Sequence, residues 1–97
     1  MFCIVYNVRY SNPKLMHVGH QYMAKTFDPK QLNGLLELQT FHISPDKGLG
    51  IFTFDSQENM AKNLPNLKAF NKDYEDRFSC KITVDTGIVN SELSYKA

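Results

Sequence analysis

An α+β fold with elements in the order β-α-β-β-α-β is predicted by three features of the sequence. Four segments are rich in β-branched, aromatic and aliphatic residues. Two others repeat their apolar residues at helical spacing. Clusters of Pro, Gly, Asn and Asp separate the segments.

The first strand is predicted over Phe2 to Tyr10, with Phe2, Ile4, Tyr6, Val8 and Tyr10 on one face and Cys3, Val5, Asn7 and Arg9 on the other. Both faces begin apolar, which implies cover on both sides. Asn12 can cap a helix whose first position is Pro13, where the missing N–H costs little. From Pro13 to about Lys25, Leu15, Val18, Tyr22 and Met23 form an apolar stripe. Gly19 on that stripe allows a close approach to the sheet. Asp28-Pro29 ends the helix, because the residue before proline disfavours helical backbone.

Leu35 to Ser44 reads as the second strand, reached through Asn33-Gly34. Pro45 to Gly50 holds the residues of a hairpin turn, longer than a two-residue loop, and the third strand follows from Gly50 to Ser56. Asp55 and Glu58 have capping-box spacing. Met60, Leu64, Leu67, Phe70 and Tyr74 mark a helical region between Gln57 and Asp76, in which Pro65 predicts a kink or two abutting helices. In the fourth strand, Cys80 to Val89, the residues Cys80, Ile82 and Val84 alternate with Lys81, Thr83 and Asp85, so one face is solvated. Gly87 marks a bulge or bend. The tail from Asn90 to Ala97 is polar apart from Leu93, Tyr95 and Ala97.

This order is that of the ferredoxin-like split unit, a four-stranded antiparallel sheet with both helices on one face, here as a single domain over residues 1–97. The helices leave the other face of the sheet open. A second copy, packed sheet against sheet as an isologous dimer, is the simplest cover. Cys3 and Cys80 each begin their strand, so antiparallel neighbours hold them at opposite ends and no disulfide is expected.

Composition excludes several classes. The chain of 97 residues is 42% hydrophobic and has 11 Lys+Arg against 10 Asp+Glu, a net charge of +1. No basic block is present, which argues against nucleic-acid binding. No apolar run approaches the roughly 20 residues of a membrane span. The apolar N-terminal stretch lacks a preceding positive region, so it reads as a strand and not a signal peptide; a cytoplasmic location is the expectation.

Three stretches carry a resemblance to a known group: "IVYNVRYSNP", "NGLLELQTF", with Asn33 where the group has proline, and "GLGIFTFDSQENMAKNL". They resemble the dimeric α+β barrel superfamily, and within it the small antibiotic-biosynthesis-type monooxygenases. The resemblance implies one ligand cavity per subunit, between helices and sheet. Members of that superfamily include cofactor-independent oxygenases of polycyclic aromatic phenols, haem-degrading enzymes and isomerases. Asn7 occupies a strand position similar to an asparagine of the haem-degrading and some quinone-forming members. Those haem enzymes also use a tryptophan and a histidine on the second helical region. This chain has no tryptophan and no histidine between Gln57 and Phe78, so haem is not expected and no cofactor is predicted.

The candidate site residues each have a structural alternative. If the Asn7 face looks toward the helices, its amide stabilises developing charge on a substrate oxygen; otherwise it satisfies a backbone group. Arg9 can bind an anionic substrate end, or be a solvated residue with a packed stem. His20, at the edge of the helical stripe, can take a proton from a phenol, or lie on the surface. His17 is expected in solvent. His42 faces either the dimer interface or the pocket. His17 and His20 are an i, i+3 pair without a carboxylate or cysteine at ligand spacing, so no metal is predicted. Tyr22, Phe52, Phe54, Phe70 and Tyr74 can line a pocket for a flat ligand, or be plain core.

The resemblance, together with Asn7, implies a homodimer acting as a cofactor-independent monooxygenase on a small aromatic or polyketide-like molecule. Asn7 and His20 are the catalytic candidates, with Arg9, Tyr22, Phe52, Phe70 and Tyr74 around the substrate. The alternative is a non-catalytic binding or structural protein of the same fold.

Overall fold

The computed structural model describes all 97 residues, Met1 to Ala97. The elements are β1 (Phe2–Tyr10), α1 (Pro13–Thr26), β2 (Leu35–Ser44), β3 (Lys47–Phe54), α2 (Gln57–Phe78) and β4 (Cys80–Ile88), with single 3-10 turns at Pro29–Gln31 and Ser91–Leu93. The four strands form one antiparallel sheet in the order β2-β3-β1-β4. This is the ferredoxin-like α+β fold, with the predicted order of elements.

Local chemistry accounts for the boundaries. The Asn12 side chain accepts the Leu15 N–H at 2.9 Å and starts α1. Asp28 accepts the Lys30 N–H at 3.0 Å and starts the short turn after it. The N-cap of α2 is Ser56, whose hydroxyl accepts the Asn59 N–H at 3.1 Å, and not Asp55. The Asp55 carboxylate instead accepts the Asn59 side-chain amide at 2.8 Å. At the other end of α2, Ser79 turns the chain in the left-handed conformation (φ 45°).

Two predicted irregularities are resolved differently. The β2–β3 loop is only Pro45-Asp46, because Lys47 to Gly50 join the ladder. Asp46 fixes this tight turn: its carboxylate accepts the Ser44 hydroxyl at 2.9 Å and its carbonyl accepts the Tyr10 N–H at 2.8 Å. Helix α2 runs unbroken through Pro65. A proline removes one helical N–H and crowds the carbonyl four residues back; here both Pro65 and Ala61 are exposed, so water can take the freed carbonyl.

The core lies between the helices and one face of the sheet. One cluster joins Ile4, Tyr6, Phe52 and Phe54 of the sheet to Met60 and Leu67 of α2. A second joins Tyr10 of β1 to Met16 of α1 and to Tyr74 and Phe78 of α2. The helix-facing side of β1 is therefore Phe2/Ile4/Tyr6/Val8/Tyr10. By alternation, Cys3, Val5, Asn7 and Arg9 point away from the helices. Helix α1 buries Met16 and Gly19, while Val18 of the predicted stripe is 42% exposed. Cys3 pairs with Gly87 and Cys80 with Tyr10, at opposite ends of the β1–β4 ladder, and both thiols are free.

Gly34 is a required glycine. Its φ is +79°, and an added Cβ would lie 2.5 Å from both the Asp55 carboxylate and the Asn59 amide. Gly34→Ala is expected to lower stability by roughly 1–3 kcal/mol. Urea denaturation should register this as an earlier midpoint at unchanged slope.

Candidate functional site

A cavity of about 360 Å³ lies between the sheet and the helices. Its floor is the helix-facing side of β1, β2 and β3 around Tyr6, Val8, Thr40, Gly48 and Gly50. Met23 and Ala24 of α1, with Phe27 just beyond it, form one wall. Leu67, Phe70, Asn71 and Tyr74 of α2 form the other. The aromatic rings are mutually ordered: Phe27 stands edge-on to Phe52 at 5.8 Å between centroids and tilts against Phe70 at 5.6 Å, and Phe70 stacks on Tyr74 at 6.1 Å. The size and the mostly apolar lining with a few polar groups suit a small organic ligand.

Six polar side chains line this space: Tyr6, Tyr10, Tyr74, Asn71, His20 and Thr40. Tyr10 and Tyr74 hydroxyls hydrogen-bond each other at 2.5 Å. Burial raises the Tyr74 phenol far above its ordinary value, with the bond to Tyr10 adding to the rise, so Tyr74 stays protonated. Burial also raises Tyr6, opposed by the neighbouring Asn71 side chain, and raises Tyr10, opposed by Tyr74. All three phenols are thus neutral hydrogen-bonding groups. Cys80, behind Tyr10, is pushed up to about 11 by burial and then by Glu75, which removes it as a thiolate nucleophile.

His20 is the titratable group of the site. Its ring stands edge-on to Tyr10 at 5.9 Å and to His42 at 5.2 Å. Burial holds its pKa below the ordinary histidine value of 6.5, and the positive charge of His42 and then His17 adds to the effect. The imidazole is therefore predominantly neutral at pH 7 and can accept a proton. His42 thus lies on the helix side of β2 and not on the open face. Together with His17 it borders a second cleft at the cavity rim, between α1 and β2. No group of three or more His, Cys, Asp or Glu is arranged to hold a metal ion.

The predicted site residues divide into two sets. His20, Phe52, Phe70 and Tyr74 line the cavity. Asn7, Arg9 and Tyr22 do not. Asn7 and Arg9 sit on the opposite face of the sheet, because the fully apolar and aromatic side of β1 is the one that packs on the helices. Tyr22 lies against Phe78 at 5.2 Å, with the Arg77 guanidinium over its ring. Phe54 is fully buried core. The amide that reaches the cavity is Asn71, from α2, one residue after Phe70 on the predicted stripe. Tyr6 and Tyr10 share the phase of Ile4 in β1, a signal that was present in the alternation.

The histidine geometry predicts a titration. By NMR, His20 should have a midpoint below 6.5, and His42→Gln should raise it while leaving it below 6.5, since burial is the larger cause. A depressed histidine pKa means that the unfolded chain binds the proton more readily. Stability from this group is accordingly full above 6.5, falls as the pH drops through 6.5, and levels off below the folded-state midpoint.

No protein-family model matches the chain and no curated protein matches it. Solved structures do. A dimeric ferredoxin-like protein from an uncultured marine organism superposes with a TM-score of 0.78 at 16% identity, over 98% of this chain and 100% of the other. A protein from Deinococcus radiodurans assigned to antibiotic biosynthesis monooxygenases superposes with a TM-score of 0.76 at 13% identity, over the full length of both chains. SnoaB, a cofactor-independent oxygenase from Streptomyces nogalater, superposes with a TM-score of 0.67 at 8% identity, over 97% of each chain. At these identities the likeness is one of fold: the chain folds, end to end, as these ferredoxin-like proteins do.

Proposed function

We propose that the protein is a cofactor-independent oxygenase of a small hydroxylated aromatic or polyketide-like molecule held between helices and sheet. One observation carries this reading: a largely apolar, aromatic-walled cavity brings a neutral imidazole, His20, together with an amide, Asn71, and neutral phenols. A general base and hydrogen-bond donors facing one volume are what this chemistry requires. Support comes from two solved structures of the same fold, a cofactor-independent oxygenase and a protein assigned to antibiotic biosynthesis monooxygenases.

In the proposed reaction His20 takes the phenolic proton. The electron-rich anion passes electrons to dioxygen, and a C–O bond forms at the ring carbon opposite the phenolate. The resulting hydroperoxide loses water as that carbon gives up its C–H proton, leaving a quinone. One hydroxyarene and one O2 give one quinone and one water. The substrate supplies all four electrons, so no external reductant enters. Asn71 and Tyr6 donate hydrogen bonds to the oxygen that bears the charge. The aromatic walls exclude water from the anion.

The open face of the sheet supports a homodimer. Val5, Leu49 and Ile51 are half-buried there without a covering layer, beside Phe41, which is 41% exposed. Arg9, Lys47 and Lys81 are cross-strand neighbours at one end of that face, and Glu37 and Asp85 lie toward the other. A two-fold partner can set the basic end of each copy against the acidic end of the other. A binding protein without turnover is the second reading, favoured by Tyr10 and Tyr74 satisfying each other without a ligand.

An oxygen electrode with naphthol and anthrone probes, and no added cofactor, tests the activity. His20→Gln and Asn71→Ala are each expected to lower kcat by about 10²-fold, and Asn7→Ala to leave it unchanged. Probe binding without oxygen uptake would favour the second reading. Light scattering at micromolar concentration should give a dimer, and Val5→Glu a monomer; a monomeric parent protein would remove the assembly.

A further inference from the structure

We propose that Gly48 and Gly50 are the specificity-determining residues of this cavity: together they form a bare stretch of β3 on which the face of a planar, fused-ring ligand lies. The inference rests on the cavity being a site for aromatic molecules.

The register isolates the two positions. On the helix-facing side, Gly50 lies between Tyr6 of β1 and Thr40 of β2, and Gly48 lies between Val8 and His42. Four surrounding positions carry side chains; the two central ones carry none. The next helix-facing residues of β3 are Phe52 and Phe54, which fill the core. The result is a trough one side chain deep. It is closed at one end by Phe52, about 14 Å from Gly48 at a strand rise of about 3.4 Å per residue. The flanking strands β1 and β2 are about 10 Å apart, twice the strand spacing.

Neither glycine is explained by backbone strain or crowding. Gly34 is the one glycine with positive φ. A Cβ on Gly50 would find its nearest neighbour, Phe52 Cε1, at 4.0 Å; on Gly48 it would find the Phe41 carbonyl at 3.6 Å and His20 Nε2 at 3.8 Å. Both are ordinary contact distances. By contrast, a Cβ on Gly19 would overlap the Tyr74 hydroxyl. A glycine inside a strand marks a bulge, a bend or a surface that approaches the backbone closely; the ladder is irregular beside Gly48, between His42 and Ser44, but regular at Gly50, where a close approach is what remains. Here the approaching surface is a ligand that is itself flat. Peptide planes are the floor, Phe27 and Phe70 the cover, and Thr40 and His20 reach oxygens on the ligand's edge. A puckered or branched molecule would gain no contact from a floor of this shape.

The test is a ring-count series of hydroxyquinones (one, two and three fused rings), with binding read by quenching of tyrosine fluorescence. The parent protein should bind two- and three-ring probes more tightly than the one-ring probe. Gly50→Val should weaken the fused-ring probes by about tenfold or more and spare the one-ring probe, with Gly50→Ala between. Circular dichroism and Tm should show both variants folded and no less stable than the parent. Should Gly50→Val misfold, Gly50→Ala and Gly48→Ala carry the comparison. If variants that fold bind fused-ring probes as the parent does, the floor is wrong and the cavity reading stands. If the parent binds no planar probe, both fall.

Discussion

Three parts of the chain meet where Tyr10 and Tyr74 share a hydrogen bond. Tyr10 closes β1, Tyr74 belongs to α2, and α1 passes over them at Gly19, the residue whose missing side chain leaves room for the Tyr74 hydroxyl. Both rings are almost wholly buried. A buried hydroxyl without a partner is costly, so each phenol depends on the other, and the spacing of both helices from the sheet follows from their pairing. That spacing determines whether there is a cavity at all. The helices are held close at this end, where Phe78 and Met16 complete the packing, and the space opens toward Phe27 and Thr40.

The fold was legible because local and long-range signals agree. The alternation in β1, the Asn12-Pro13 start of α1 and the stripe on α2 all describe the same architecture. The boundaries that were misread are those where two residues compete for one role. Asp55 and Ser56 can each cap α2, and the hydroxyl wins while the carboxylate turns to the Asn59 side chain. Gly48 and Gly50 look like turn residues, but Asp46 completes the turn first and leaves them in the strand.

The site was less legible for a related reason. Asn7 and Arg9 drew attention because they are polar in an apolar strand, yet polarity marks the side away from the helices. Tyrosine is the more informative residue: it is apolar enough to be core and still carries a hydroxyl into the cavity, so Tyr6 and Tyr10 read as plain packing. Helical spacing puts His20 beside Met16 and so at the cavity edge. Asn71 is a lone amide on a long, charged helix, and no sequence feature marks it. A fold shared at 8–16% identity fixes the arrangement of strands and helices and leaves the side chains between them to each chain.

The central place of β1 has a consequence for how the molecule assembles itself. Its partners on either edge are β3 and β4, the latter some 80 residues further along. The hairpin of β2 and β3 joins neighbours and can close early, but the middle of the sheet must wait for β4, which follows every other strand in the chain. Until then Phe2 and Ile4 have no lasting cover. Contacts of such long sequence separation slow the search for the native state, so the chain is most vulnerable to sticking to its neighbours while the β4 edge of β1 stands unpaired.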